Sequence, residues 1–335
     1  MKRAICVLLL LALLPLGCAP QPKRFERTWY DVFDTVTRLV GYADSEAAFI
    51  EVADRAHAEL LAYHTLFDIY NDAPTGNNLK TVNDRAGGDP VPVDPAIIAL
   101  LQFGREVDAL TEHRVDATLG AVLSLWHEAR TVAEHSDQAA LPDWTALQSA
   151  ATHTGFDLLE IDEAAGTVRL TDPAARLDVG AIAKGFAAKL VAKTLPDGCL
   201  LSLGGNIVAV GAKADGTPWT VGVQDPDHAD ALLLTVDAAD LAVVTSGDYQ
   251  RTFTVDGVPY HHIIDPDTLY PTTRWRAVTV LCKDSAAADA LSTTLFLLPR
   301  AEGEALLKQF DADALWIAPD GTVTMTDGFS AAIHR

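Results

Sequence analysis

Between residues 198 and 280 the chain is a succession of short β-branched and apolar runs, broken by turns rich in Gly, Asp and Pro. That spacing predicts a mostly antiparallel sheet, because consecutive strands joined by tight turns pair with their neighbours. Helical periodicity is confined to other blocks. Residues 44–67, capped by Asp44, place Phe49, Val52, Ala53, Ala56, Leu60 and Tyr63 on one face. Residues 94–110, 181–194, 285–298 and 301–310 read as further helices, and residues 315–317 and 323–325 as a closing strand pair. Residues 71–93, rich in Asn, Gly, Asp and Pro, read as a long loop of the kind that often carries function. Strands and helices in blocks rather than in βαβ alternation predict an α+β fold, mostly antiparallel sheets packed with helices. Neither a GxGxxG after a strand nor a GxxxxGK[ST] is present, so a nucleotide would be bound here by some other device.

The N-terminus predicts the compartment. Lys2 and Arg3 precede an apolar run from Ile5 to Leu16, which is too short to span a bilayer and has the length of a signal-peptide core. Leu16-Gly17-Cys18 resembles a lipobox, with Pro15 where that pattern usually has Leu. Residues 1–17 are therefore expected to be a lipoprotein-type signal peptide, Cys18 the lipid-bearing residue, residues 19–27 a tether and residues 28–335 the folded body. The expected location is extracytoplasmic and membrane-anchored, on the periplasmic side of the inner membrane. The chain carries 46 acidic against 25 basic residues, a surface that repels phosphate backbones and makes nucleic acid an improbable partner. An anionic ligand would need local cations or a metal ion. Cys199 and Cys282 stand in apolar surroundings; a disulfide is permitted in this compartment, and two buried thiols are equally compatible with the sequence.

Four segments carry chemistry. In Arg114-Val115-Asp116-Ala117-Thr118-Leu119-Gly120, Asp116 or Thr118 reads as the cap of a following helix. In Leu177-Asp178-Val179-Gly180-Ala181-Ile182-Ala183-Lys184-Gly185-Phe186, a carboxylate leaves an apolar strand for a helix start whose amides can meet phosphate, with Lys184 one turn in. Ser202-Leu203-Gly204-Gly205-Asn206 suggests a bulge or a close approach of ligand to backbone. The fourth joins Thr245-Ser246-Gly247-Asp248-Tyr249, Tyr260-His261-His262-Ile263-Ile264-Asp265-Pro266 and Asp289-Ala290-Leu291-Ser292-Thr293. Asp289 and Thr293 are four apart on a predicted helix, so their oxygens share a face. Carboxylate plus hydroxyl is a hard-oxygen pair suited to Mg²⁺, or else a helix feature with a back-bonded threonine.

Taken in order, these motifs resemble the ApbE family of flavin transferases, over residues 33–317. The resemblance implies an enzyme, a Mg²⁺-dependent FAD:protein FMN transferase, which joins FMN to a Thr or Ser hydroxyl of a target protein and releases AMP. It implies metal ligands at Ala181 (main chain), Asp289 and Thr293, with Ser292 nearby. It implies FAD contacts at Phe33, Tyr70, Arg114, Val115, Asp116, Asp178, Lys184, Ile263 and Ile264, and catalytic roles for His262 and Asp289. His262, with an ordinary imidazole pKa near 6.5, is expected to take the acceptor proton, and its neighbour His261 to face away from the cleft. Membrane electron-transfer subunits are the implied targets. Two other activities share such a site: FAD pyrophosphatase, with water as acceptor, and simple flavin binding. Phe33-Asp34-Thr35 and Pro266-Asp267-Thr268-Leu269 depart from the family wording, Met-Gly-Thr and Pro-x-Thr-Gly; Leu269 in place of glycine suggests a differently shaped turn.

Overall fold

The computed structural model describes residues 22–136, 138–228 and 230–334; the signal-peptide and Cys18 expectations lie outside them. Its elements run β1 (Lys23–Val32), β2 (Thr35–Ala43), α1 (Glu46–Phe67), α2 (Leu79–Asp84), β3 (Val91–Pro92), α3 (Pro95–Leu110), α4 (Gly120–His135), α5 (Trp144–Ala151), β4 (Leu159–Asp162), β5 (Thr167–Leu170), α6 (Ala183–Ala192), β6 (Cys199–Leu203) and β7 (Asn206–Val210). They continue with β8 (Trp219–Gln224), β9 (Leu232–Ala238), β10 (Leu241–Gly247), β11 (Phe253–Val255), β12 (Val258–Tyr260), β13 (Ala277–Cys282), α7 (Ser285–Leu297), α8 (Arg300–Leu307), β14 (Asp313–Ile317), β15 (Val323–Met325) and α9 (Asp327–Ala331).

Eight strands form the main sheet, in the order β1-β2-β6-β7-β10-β13-β14-β15, and every neighbouring pair is antiparallel. The α+β expectation holds. Both faces of the sheet are covered. Along β10, Ala242 and Val244 point into the core shared with α1, α6 and α7, while Val243 points into a second core beneath the β8–β9 ribbon and Phe329 of α9. This period of two on a strand buried on both sides explains why β13 reads as an unbroken apolar run, with all six residues buried. A third cluster joins α4 and α5 to the β11–β12 hairpin through Val122, Trp126, Leu147, Phe253, Ile264 and Leu269.

Several expectations are corrected. Residues 23–27 are not tether: they form the first half of β1, in register from Lys23↔Ala43 to Arg27↔Leu39, so the folded body starts before residue 28. Ser45, not Asp44, caps α1, its side chain accepting from the Ala48 amide. The expected loop at 71–93 contains α2, held by a capping box on Asn78, and strand β3. Neither Asp116 nor Thr118 caps α4; its N-cap is Leu119, without a side-chain bond. Asp116 Oδ1 instead accepts from the Thr118 amide at 2.7 Å and the Thr118 hydroxyl at 2.6 Å, shaping the turn before the helix. Gly204 and Gly205, at φ +55 and +95, make the β6–β7 turn rather than a mid-strand bulge. Cys199 and Cys282 are both buried free thiols.

Candidate active site

A deep cleft runs between the sheet's helical face and the α4/β11–β12 cluster. Tyr70, Arg114, Val115, Asp116, Asp178, Ala181, Lys184, His262, Ile263, Ile264, Asp289 and Thr293 all line it. The chain brings these residues together from positions more than two hundred apart in sequence because α6 and α7 pack on each other and α7 lies across β10 and β13. Gly185 permits that approach: a Cβ there would stand 2.4 Å from the Asp289 Cβ and 2.5 Å from the Ser285 carbonyl oxygen.

Two predicted site residues are not in the cleft wall. Phe33 and Asp34, at φ +52 and +51, form a two-residue hairpin turn between β1 and β2, as a type I′ turn requires. That geometry turns the Phe33 ring onto His64, edge to face at 5.6 Å, and into the core packing; Asp34 and Thr35 face the cleft in its place. Ser292 is fully buried. Its hydroxyl donates to the Asp289 carbonyl oxygen at 2.9 Å and lies 2.8 Å from the Ser246 hydroxyl, so it steadies β10 against α7 rather than offering oxygen to the cleft.

The oxygen cluster is built by the helix. Every residue of α7 is buried except Thr293, which opens to the cleft one turn beyond Asp289. Asp289 is 4 % exposed, and its Oδ2 accepts the Gly185 amide at 2.7 Å. Gly185 stands in the first turn of α6, where backbone amides lack an acceptor within the helix; Asp289 supplies one, and Ala181, just ahead of the helix, lines the cleft beside it. Burial raises the carboxyl pKa of Asp289 above its ordinary value, against the opposing pull of Lys184. Burial likewise raises that of Asp178, whose Oδ1 accepts the Gly180 amide at 2.8 Å. Among the described residues no three His, Cys, Asp or Glu side chains cluster to hold a metal. One carboxylate, one hydroxyl and one carbonyl form a set that suits a hard ion completing its shell with water and phosphate, as Mg²⁺ does, and suits a softer ion poorly.

The two histidines are distinguished by their hydrogen bonds. His261 is saturated: Nε2 faces the Thr272 carbonyl oxygen at 2.7 Å, and Nδ1 accepts the Ile263 amide at 3.1 Å. Both histidines border the cleft, contrary to the expectation for His261. His262 Nδ1 faces the Gln250 carbonyl oxygen at 3.1 Å. A carbonyl only accepts, so Nδ1 carries the proton and Nε2 is an unprotonated acceptor. Burial, reinforced by the Arg251 guanidinium, pushes the imidazole down to about 3, well below the ordinary value expected from sequence. The ring is therefore neutral at physiological pH.

The other end of the cleft is aromatic. Tyr70 stacks on His127, centroids 4.5 Å apart, and Arg130 Nη2 donates to His127 Nδ1 at 3.0 Å. Desolvation and the Asp178 carboxylate push the Tyr70 phenol up to about 12. Arg114 is held by Asp267, and more distantly by Asp265 at 3.8 Å. Leu269 adopts φ +60, so the turn keeps the left-handed conformation without a glycine; its carbonyl accepts the Trp126 indole N–H at 3.0 Å. Asn206, Ser246, Gln250, Arg251, His127 and Arg130 also line the cleft, and sequence reasoning assigned none of them a role. Only the first two fall within motifs it singled out, and nothing local to any of the six marks a ligand.

The ApbE family model matches residues 33–316. A FAD:protein FMN transferase of Treponema pallidum is 36% identical over 321 residues, covering 89% of this chain and 85% of that protein. One from Klebsiella pneumoniae is 31% identical over 284 residues, covering 81% and 86%. Among solved structures, the ApbE protein of Thermotoga maritima superposes with a TM-score of 0.81 at 26% identity, covering 93% of this chain and all (100%) of that one. The apo form of the Pseudomonas stutzeri flavinyl transferase ApbE gives 0.77 at 26% identity, covering 93% and 97%.

Proposed function

The chain belongs to the ApbE family, and from that premise we infer that its cleft takes FAD and transfers the FMN half onto a hydroxyl of another protein, with Mg²⁺ as the assisting ion. It is a transferase, an FAD:protein FMN transferase. The observation that carries the reading is the tautomer of His262: its Nε2 is an acceptor without a partner among the described residues, in the cleft that Asp289, Thr293 and Ala181 also line.

The residues divide the work. The stacked pair of Tyr70 and His127 offers a flat wall to a ring system. Lys184, whose Nζ among the described residues reaches only the Gly180 carbonyl at 3.5 Å, supplies positive charge beside the carboxylates. Asp289, Thr293 and the Ala181 carbonyl are the groups that would hold Mg²⁺. The ion, when bound, supplies neutralisation of charge on the pyrophosphate. The acceptor hydroxyl attacks the flavin-side phosphorus, its proton passes to His262 Nε2, and the bond to the adenylate oxygen breaks to release AMP. Because little covalent chemistry is asked of the protein, positioning and charge stabilisation carry the rate.

Incubation with FAD, Mg²⁺ and a soluble domain of a membrane electron-transfer subunit bearing an acceptor Thr or Ser, followed by intact-mass measurement, tests this reading. Mass gained by the domain supports transfer. Free FMN without target modification means the chain is a pyrophosphatase, and unchanged FAD means that it only binds flavin.

The location proposed is the outer face of the cytoplasmic membrane, through lipid on Cys18. The support is the Leu-Gly-Cys ending of the apolar leader. Cys18→Ser is expected to move the protein from the membrane to the soluble extracytoplasmic fraction; wild type already soluble there overturns the anchor.

A further inference from the structure

Arg251 lies between β10 and β11 at φ +48, a left-handed conformation that an arginine adopts at a cost, and it lines the cleft. Its chain neighbour Gln250 supplies the carbonyl that fixes the His262 ring. The other two arginines of the cleft are engaged, Arg114 by Asp267 and Arg130 by His127 and Glu134. Arg251 makes no hydrogen bond or ion pair among the described residues. Two carboxylates, Asp178 and Asp289, are near enough to feel its charge, as are Tyr70 and His127 on one side and His262 on the other. The guanidinium therefore lines the same cleft as the aromatic wall and the oxygen cluster, bonded to neither among the described residues.

We propose that Arg251 is a substrate-contacting residue whose guanidinium donates to non-bridging oxygens of the FAD pyrophosphate. The inference rests on the reading of the cleft as an FAD site. The chemistry recognised is that of a pyrophosphate: a planar, permanently charged donor fork matches two phosphate oxygens at once, and such charge-assisted bonds strengthen as negative charge accumulates. As the acceptor oxygen bonds to the flavin-side phosphorus, the adenylate oxygen departs with the bonding pair, and the hydroxyl proton passes to His262. Arg251, adjacent to His262 in the field it feels, stabilises the oxygens of the phosphoryl group in transit and disfavours a proton on the imidazole before the acceptor arrives. The strained backbone is compatible with this role, since left-handed non-glycine residues gather where a side chain must be aimed.

Fluorescence titrations of FAD and of riboflavin, which lacks the phosphates, against wild type, Arg251→Gln and Arg251→Lys test the proposal without turnover. Arg251→Gln is expected to weaken FAD by about tenfold or more, the equivalent of one charge-assisted hydrogen bond, and to leave riboflavin within about twofold. Its FAD affinity should also depend less steeply on salt. Arg251→Lys, which keeps the charge and loses the fork, should fall between. Unchanged FAD affinity in Arg251→Gln overturns the proposal. So does an equal loss of FAD and riboflavin, which would mean that Arg251 shapes the cleft rather than reading phosphate. A wild type that binds FAD yet never modifies a target would defeat the transferase reading and leave this comparison intact.

Discussion

The Gly185 amide donates to Asp289 Oδ2 across 2.7 Å, joining the first turn of α6 to the middle of α7. One bond thereby satisfies a first-turn amide of α6 and fixes the buried carboxylate proposed to hold a metal ion. Asp289 is the only charged member of its set with Thr293 and the Ala181 carbonyl, and a hard divalent ion is held mainly by charge. Asp289→Asn nearly preserves volume and should fold, yet need far higher Mg²⁺ for activity or lose it. Thr293→Ala should be milder and partly restored by added Mg²⁺, because water replaces a hydroxyl. EDTA should silence wild type reversibly. Calorimetric Mg²⁺ titration of the three proteins checks the order; an unchanged Mg²⁺ requirement in Asp289→Asn would move the ion elsewhere.

The depressed pKa of His262 has a consequence for pH dependence. The neutral ring is the active form, and it persists down to about 3 in the free enzyme, so kcat/KM should show no acid limb near 6.5 from this residue. The same shift makes the fold acid-sensitive. An unfolded chain binds a proton at His262 below about pH 6.5, whereas the folded protein resists it until about 3, so this contribution to stability is complete above 6.5 and declines as pH falls through that window. A wild-type kcat/KM profile from pH 5 to 8 that falls towards acid with a midpoint near 6.5 would contradict the assignment.

Leu269 sets backbone strain against packing. Its φ of +60 would suit glycine, and relief there is worth about 1 kcal/mol. The side chain, however, is 7% exposed and packed in the cluster with Trp126 and Phe253, and removing a buried leucine costs about 2–5 kcal/mol. Packing wins, so Leu269→Gly should lower the thermal midpoint. A midpoint equal to or above wild type would show the turn to be dominated by strain.

How far the sequence anticipates this structure depends on which signal each residue carries. Asp289 and Thr293 are legible because helical spacing alone puts them on one face; of residues 177–186 the helix start is legible, but the strand expected before it is absent, an isolated bridge at Arg176 standing in its place. Residues 23–27 are misread as tether because Lys23, Arg24, Glu26 and Arg27 dilute the apolar alternation; β1 is an edge strand, where charge is tolerated and discourages further pairing. Phe33-Asp34 and Leu269 are misread because positive φ is ordinarily signalled by glycine; at Phe33-Asp34 the β1–β2 pairing imposes it, and at Leu269 it accompanies a buried side chain. Arg251 and Gln250 could not be found at all from local sequence: their role depends on what the fold sets opposite them, His262 twelve residues after Gln250 and Asp178 on another element.

The central claim is that one cleft, with His262 Nε2 as base, moves FMN from FAD onto a protein hydroxyl. The most direct measurement is the intact mass of an acceptor domain after incubation with FAD, Mg²⁺ and wild type, His261→Ala or His262→Ala, with FAD binding checked in parallel. The account predicts an FMN adduct from wild type, reduced but detectable modification from His261→Ala, whose ring only braces the backbone, and none from His262→Ala despite bound FAD. Modification by His262→Ala at the wild-type rate, or loss confined to His261→Ala, would contradict it.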